Sequence, residues 1–127
     1  YSYNSKNINP PLIIKNIPND TKSLVLTVDD PDAPTGDWVH WILFNIPLVE
    51  EIKENSLPKG SVQGLNSWNS NKYDGPSPPS GTHRYFFKLY ALDTELTLKN
   101  PTKKEILRAM QHHIVGYSEL IGLFSKI

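Results

Sequence analysis

From Ser23 to Asp29 the chain alternates, with Leu24, Leu26 and Val28 on one face of an extended segment and Val25 and Thr27 on the other. Apolar residues on both sides mark a buried strand, and it stops at Asp30-Pro31 because proline cannot continue a hydrogen-bonded ladder. Val39 to Ile46, VHWILFNI, is apolar on both faces except at His40 and reads as a central strand covered from both sides. A third long strand runs from His83 to Leu92. It puts His83, Tyr85, Phe87, Leu89 and Ala91 on one face and Arg84, Phe86, Lys88, Tyr90 and Leu92 on the other. One stretch has the helical period instead. Pro101 precedes Thr102-Lys103-Lys104-Glu105, a capping box in which threonine and glutamate satisfy each other's backbone donors, and Ile106, Leu107, Met110 and Ile114 follow as an apolar stripe. The spacing predicts a main helix over about 102–114. The ending GYSELIGLFSKI reads as its continuation to about Leu120, stopped by Gly122, with a short strand from Leu123 to Lys126.

Eleven prolines, clustered at 10–11, 31–34 and 76–79, cut the chain into short pieces bounded by turns, so the fold class is mainly β. A length of 127 residues suits one domain, spanning 1–127, with one core. Thirteen basic and thirteen acidic residues balance without charge runs, which argues against nucleic acid or an anionic membrane as partner. No apolar run has the length of a membrane span. The absence of cysteine removes disulfides, thiolate metal sites and thiol nucleophiles, and leaves a cytoplasmic location as the default. The chain starts at Tyr1 rather than methionine, which is compatible with upstream residues, a signal peptide among them. Exposed aromatics would suit a homodimer.

The chemistry concentrates in DDPDAPTGDWVHW, where Asp29, Asp30, Asp32 and Asp37 surround two prolines and a glycine. The short connection makes the first two strands antiparallel neighbours, which sets Asp30 at the exit of one beside His40 at the entrance of the next. If the third strand runs parallel to the second, His83 reaches the same end of the sheet, under the Pro-rich loop 74–82. A carboxylate beside two imidazoles favours imidazolium, and two such donors at a pocket mouth bind phosphate or sulfate oxygens through charge-assisted hydrogen bonds. Turn amides would add donors. Taken singly, each aspartate also reads as a turn residue and each histidine as a satisfied structural group. Arg84 reads as a brace paired with Asp32. His113 is expected buried and hydrogen-bonded on the apolar stripe, and His112 exposed. Two histidines and an aspartate could ligate zinc or iron, but there is no HxH, HxxxH or HExxH spacing and no fourth zinc ligand, so neither metal nor cofactor is expected. Ser77 and Ser80 lie near His83, yet the GxSxG elbow of a serine hydrolase is missing.

DDPDAP, GDWVHWILFNIP and GPSPPSGTHRYFFKLYALD together resemble the signature blocks of the phosphatidylethanolamine-binding protein family, and in particular its compact prokaryotic, Raf-kinase-inhibitor-like branch. The NISPPL-like start at Asn7 to Leu12, the PKGSVQG loop at Pro58 to Gly64 and the end from His113 to Gly122 extend the likeness over nearly the whole chain. The resemblance implies an antiparallel β-sandwich with a large central sheet, a smaller flanking sheet and one or two helices. It also implies an anion pocket on Asp30, His40 and His83, walled by Ala33, Pro34, Trp38, Gly75, Pro78 and Tyr85. Compared with the family, an N-terminal strand segment is expected to be missing, and the tyrosine of the longer C-terminal helix that closes the pocket of eukaryotic members is expected to have no counterpart. An open rim suits a small phosphate better than an acyl chain. The expected function is non-enzymatic binding of a phosphate-like anion: a phospholipid head group, a phosphorylated peptide or a small phosphate. The alternative is a protein inhibitor that acts on a serine protease or kinase through a surface loop, and a hydrolase is the weakest reading.

Overall fold

The computed structural model describes residues 9–33, 36–74 and 82–125, the side chains at 82, 83 and 122–125 excepted. Seven strands and one helix follow in the order β1 (Leu12–Ile13), β2 (Ser23–Asp30), β3 (Trp38–Ile46), β4 (Glu51–Ile52), β5 (Val62–Gln63), β6 (Thr82–Leu92), α1 (Lys103–Met110) and β7 (Ile114–Ser125). Five of them form one antiparallel sheet in the order β5-β3-β2-β6-β7, and β1 and β4 pair in a small second sheet. The architecture is the expected one, a large sheet flanked by a small one, with a single helix among the described residues.

β2 lies between β3 and β6 and is antiparallel to both, so β3 and β6 start at the end of the sheet where β2 finishes. Every residue of β2 is buried, as its two apolar faces require. One face carries Leu24, Leu26, Val28, Trp41, Leu43, Tyr85 and Phe87, and packs against Ile14, Ile52 and Tyr73. The other carries Val25, Val39, Ile42, Phe44 and Leu92, covered by Leu96 and by Ile106 and Met110 of α1. Each large apolar side chain buried in these two layers contributes about 1.5–3 kcal/mol.

The capping box forms as the sequence indicates: the Thr102 hydroxyl accepts from the Glu105 amide at 3.3 Å, and Glu105 Oε1 accepts from the Thr102 amide at 3.1 Å. The expected length of the helix does not hold. α1 ends at Met110, Gln111 turns extended, and His112 takes a left-handed φ of 68°. The residues expected as helix and short strand, 114–125, are one long strand paired along β6 from Leu92↔Ile114 to Thr82↔Ser125. The helical spacing of this segment is outweighed by pairing along the whole of β6, and β-branched and aromatic residues suit a pleated surface. Ile114 leaves the helix stripe and is exposed, as is Leu107. His113 sits in the turn; its Nδ1 lies 2.8 Å from Asp93 Oδ1 as a hydrogen-bonded group, but the side chain is 45% exposed rather than buried. His112 is exposed, as expected.

Gly64 marks a tight junction. A Cβ there would fall 2.7 Å from the Pro101 carbonyl oxygen and 2.9 Å from Ile42 Cγ2. The Gly64 amide donates to Ile42 O and the Leu65 amide to Pro101 O, so the backbone has little room to withdraw. Gly64→Ala is expected to cost about 2 kcal/mol by overpacking, measured as a lower midpoint in urea unfolding. Among the described residues no helix is long and apolar enough to cross a membrane.

Candidate functional site

The site face is built by a break in alternation. Asp30, Tyr85 and Phe87 lie on the Val28 side of the sheet, where pairing β2 with β6 places them. Strict alternation along β3 would put His40 with Ile42 and Phe44, on the opposite side. Instead the β2–β3 register shifts between Val28↔Trp41 and Asp29↔Val39, and His40 is the extra residue of a β-bulge. A bulge turns the strand and re-aims a side chain. The His40 ring is thereby stacked edge-on against Tyr85, with centroids 5.0 Å apart, on the Asp30 side.

His40 is 3% exposed, and its Nδ1 lies 2.6 Å from the Asp74 carbonyl oxygen. A carbonyl only accepts, so Nδ1 carries the proton, and the Nε2 edge of the ring faces away from this contact. The Asp74 amide returns a 3.1 Å bond to the His40 carbonyl. The loop that delivers Asp74 is organised by buried Asn66: its Oδ1 accepts from the amides of Trp68 and Ser70, and its Nδ2 donates to Lys72 O and Asp74 Oδ2. Ser67 clamps this loop to β3, its Oγ accepting from the Val39 amide and its own amide donating to Val39 O. Trp68 consequently stands at the rim, its ring 5.3 Å from those of both His40 and Trp38.

Asp30 is buried at 3% exposure, and its Oδ1 accepts from the Asp32 amide at 2.8 Å, a turn-type contact. Burial, and after it the charge of Asp30, push the Tyr85 hydroxyl well above the usual tyrosine range, so it remains a neutral donor. Asp32 is gripped by Arg84 in a bidentate pair, Nε to Oδ2 and Nη2 to Oδ1 both at 2.9 Å, with the Arg84 amide also donating to Oδ2. That brace is the one the sequence indicates. The Asp32 hydrogen bond and charge raise the Arg84 guanidinium further above its already high range.

Of the remaining candidates, Ala33 closes the turn by accepting from the Gly36 amide at 2.9 Å, and Trp38 pairs with Asp30 in register at the rim. His83 occupies its expected place in β6, paired with Phe124, but its side chain lies outside the described atoms, as do residues Pro34, Gly75 and Pro78. Asp29 and Asp37 turn away from the site. Asp29 is fully buried on the helix side and is bridged by Lys103, which also reaches Asp37 at 2.5 Å. Burial lowers the Lys103 ammonium, but hydrogen bonds to Asp29 and Asp37 outweigh it and carry the group above the ordinary lysine value. Asn66, Trp68 and Asp74 were not indicated by the sequence; the only local signal is a run rich in Asn, Ser and Gly, which says loop but not which strand it reaches. Among the described residues no three ligating side chains gather into a metal site.

Comparison with known proteins agrees with this fold. The family model described as phosphatidylethanolamine-binding protein matches residues 1–125. A UPF0098 protein of Methanothermobacter thermautotrophicus is 48% identical, the match covering 99% of this chain and 88% of that protein. One from Pyrococcus horikoshii is 46% identical over 99% of this chain and 69% of its own length. Among solved structures, a phosphatidylethanolamine-binding protein homologue of Chlamydia trachomatis superposes with a TM-score of 0.90 at 41% identity, covering 94% of this chain and 82% of that one. The YbcL protein of E. coli, described as a member of the mammalian family, gives 0.88 at 31% identity, with coverage of 95% and 82%. From the family model, the relatives and the fold together, the chain belongs to the phosphatidylethanolamine-binding protein family.

Proposed function

We propose that the chain is a non-enzymatic binding module whose pocket holds a phosphate-like anion between His40 and His83, with turn amides as further donors and Asp30 orienting the imidazoles. The observation that supports this most is the bulge: it moves His40 to the Asp30 face, where the Nδ1 proton meets the Asp74 carbonyl, and Nε2 is the nitrogen we assign to the ligand. A neutral imidazole would present a lone pair there; only the imidazolium presents an N–H to an anion oxygen. The Tyr85 ring, edge-on to His40, walls the pocket, and its hydroxyl stays neutral in the physiological range. The same shift makes that hydroxyl a poor nucleophile, which favours binding over turnover. The ligand class is the one shared by phospholipid head groups, phosphorylated peptides and small phosphates.

Sulfate tests the reading cleanly because its own charge is constant from pH 6 to 8. Followed by NMR, a sulfate titration is expected to shift the side-chain resonances of His40 and His83. The affinity should rise as pH falls through the ordinary histidine range near about 6.5. Histidine resonances that stay still, or an affinity indifferent to pH, would remove the imidazolium from the mechanism.

A further inference from the structure

A cleft runs between the segment 11–18 and the strands β6 and β7. Its floor is set by register: Leu120↔Phe87, Ser118↔Leu89 and Gly116↔Ala91 are paired, so these alternate side chains of both strands face the same side. The two-stranded sheet of β1 and β4 does not cover this floor, and Leu120 is left 57% exposed. The cleft has two parts, about 300 Å³ beside Leu12 and Phe87 and about 320 Å³ beside Lys15 and Ala91, which share Ile14, Leu89 and Ser118 as lining. Wall and floor meet at Gly116, where a Cβ would fall 3.0 Å from Pro18 Cγ. Asp30, His40 and Tyr85 line neither part. From Gly116 to Leu120 the floor spans about 13 Å, the length of about ten carbons of an extended alkyl chain. Facing side chains rather than a free backbone, the amides of an extended peptide would lose water without gaining partners; an alkyl chain has no such groups. Lys15 stands exposed on the rim at the Pro18 end and forms no ion pair among the described residues, although Glu50 and Glu51 line the depression on its outer side. A free ammonium at one end of an apolar cleft complements a carboxylate that heads an alkyl chain.

We infer that this cleft binds a medium-chain alkyl carboxylate, the carboxylate against Lys15 and the chain along Leu89 toward Phe87. The site is separate from the proposed anion pocket and does not rest on that reading. Calorimetric titration of the intact chain with decanoate, octanoate and decylammonium tests it. Decanoate is expected to bind about tenfold more tightly than octanoate, two methylenes at about fourfold each less the part that stays open to water. Decylammonium, repelled by Lys15, should bind more weakly than decanoate. Lys15→Glu should weaken decanoate about three- to tenfold and reverse that preference. Ser118→Phe, which fills the floor from an exposed position, should abolish decanoate binding and leave the urea midpoint in place. If the midpoint falls, Ser118→Leu makes the same test with a smaller side chain. Saturating sulfate should leave the decanoate affinity unchanged. Equal affinities for octanoate and decanoate, or binding untouched by Ser118→Phe, would overturn the placement of the chain in the cleft. Competition by sulfate would move the carboxylate to the anion pocket and overturn the separate site, and decylammonium binding as tightly as decanoate would overturn the carboxylate. Failure of all three probes to bind would sink the inference and leave the anion reading intact. A native dimer in sedimentation that Ser118→Phe converts to monomer would then assign the cleft to a second copy of the chain.

Discussion

Replacing Lys103 by methionine lowers the stability of the fold by about 2–3 kcal/mol, at the lower edge of what breaking a buried ion pair costs. The cause is Asp29. Its carboxylate is fully buried, its Oδ1 has no hydrogen-bond partner among the described residues, and its Oδ2 is served by Lys103. Lys88 Nζ lies 3.7 Å from the same Asp29 Oδ2 and is left in place by the substitution, which keeps the expected cost below that of an isolated charge. The change should lower the midpoint of urea unfolding by about 1–2 M. The double variant Lys103→Met/Asp29→Asn should recover part of the loss, since it removes the stranded charge with its partner. The effect of pH on the gap between native chain and Lys103→Met has a definite sign. The folded ammonium titrates above its unfolded value of 10.5, so its contribution is complete below that pH and is lost as pH rises through the folded value. A gap already closing at neutral pH would exclude the ion pair as its source. Lysines in the first turn of a helix oppose the helix dipole, so the placement of Lys103 at the start of α1 makes sense only through these carboxylates.

The second large effect concerns binding. His40→Asn is expected to weaken sulfate about 10- to 100-fold, the value of one hydrogen bond to a charged group. Asparagine places an N–H donor near the position of Nδ1, so the bond to the Asp74 carbonyl can persist and the loop from Asn66 to Asp74 can keep its place. What disappears is the nitrogen that takes up the second proton. The variant should therefore lose affinity and the rise of affinity toward acidic pH together, with little change in the urea midpoint. An unfolded variant would show as a collapsed midpoint; His40→Gln, whose amide nitrogen reaches the place of Nε2 instead, keeps a donor that does not titrate and should lose the rise of affinity toward acidic pH.

Much of this arrangement could be read from residues alone, for physical reasons that differ by element. β2, β3 and β6 announce themselves because apolar runs bounded by proline and polar turns leave few alternatives, and the two faces of β6 follow from a period of two. The Thr102–Glu105 box is local and so was visible, whereas the end of α1 was not. The segment after Met110 keeps a helix-like spacing, and only pairing with β6, a non-local contact, makes it a strand. The pairing of Asp32 with Arg84 spans 52 positions yet was legible, since topology alone brings those loop ends together. The Lys103–Asp29 bond spans 74 positions and was hidden, because nothing local says which side of the sheet a helix will cover. The bulge at His40 was equally hidden: the pattern VHWIL is apolar on both faces and does not state where alternation fails.

Asp29 and Asp30 are chain neighbours, and a pleated strand sends neighbours to opposite sides. One acid therefore anchors a helix under one surface, while the other faces the proposed recognition surface across the sheet, with a single peptide plane between them. Inserting or deleting one residue in β2 would exchange their compartments along with every apolar side chain before them. Helix docking and the proposed ligand recognition share one strand terminus, so the length of that strand cannot be adjusted for either without disturbing both.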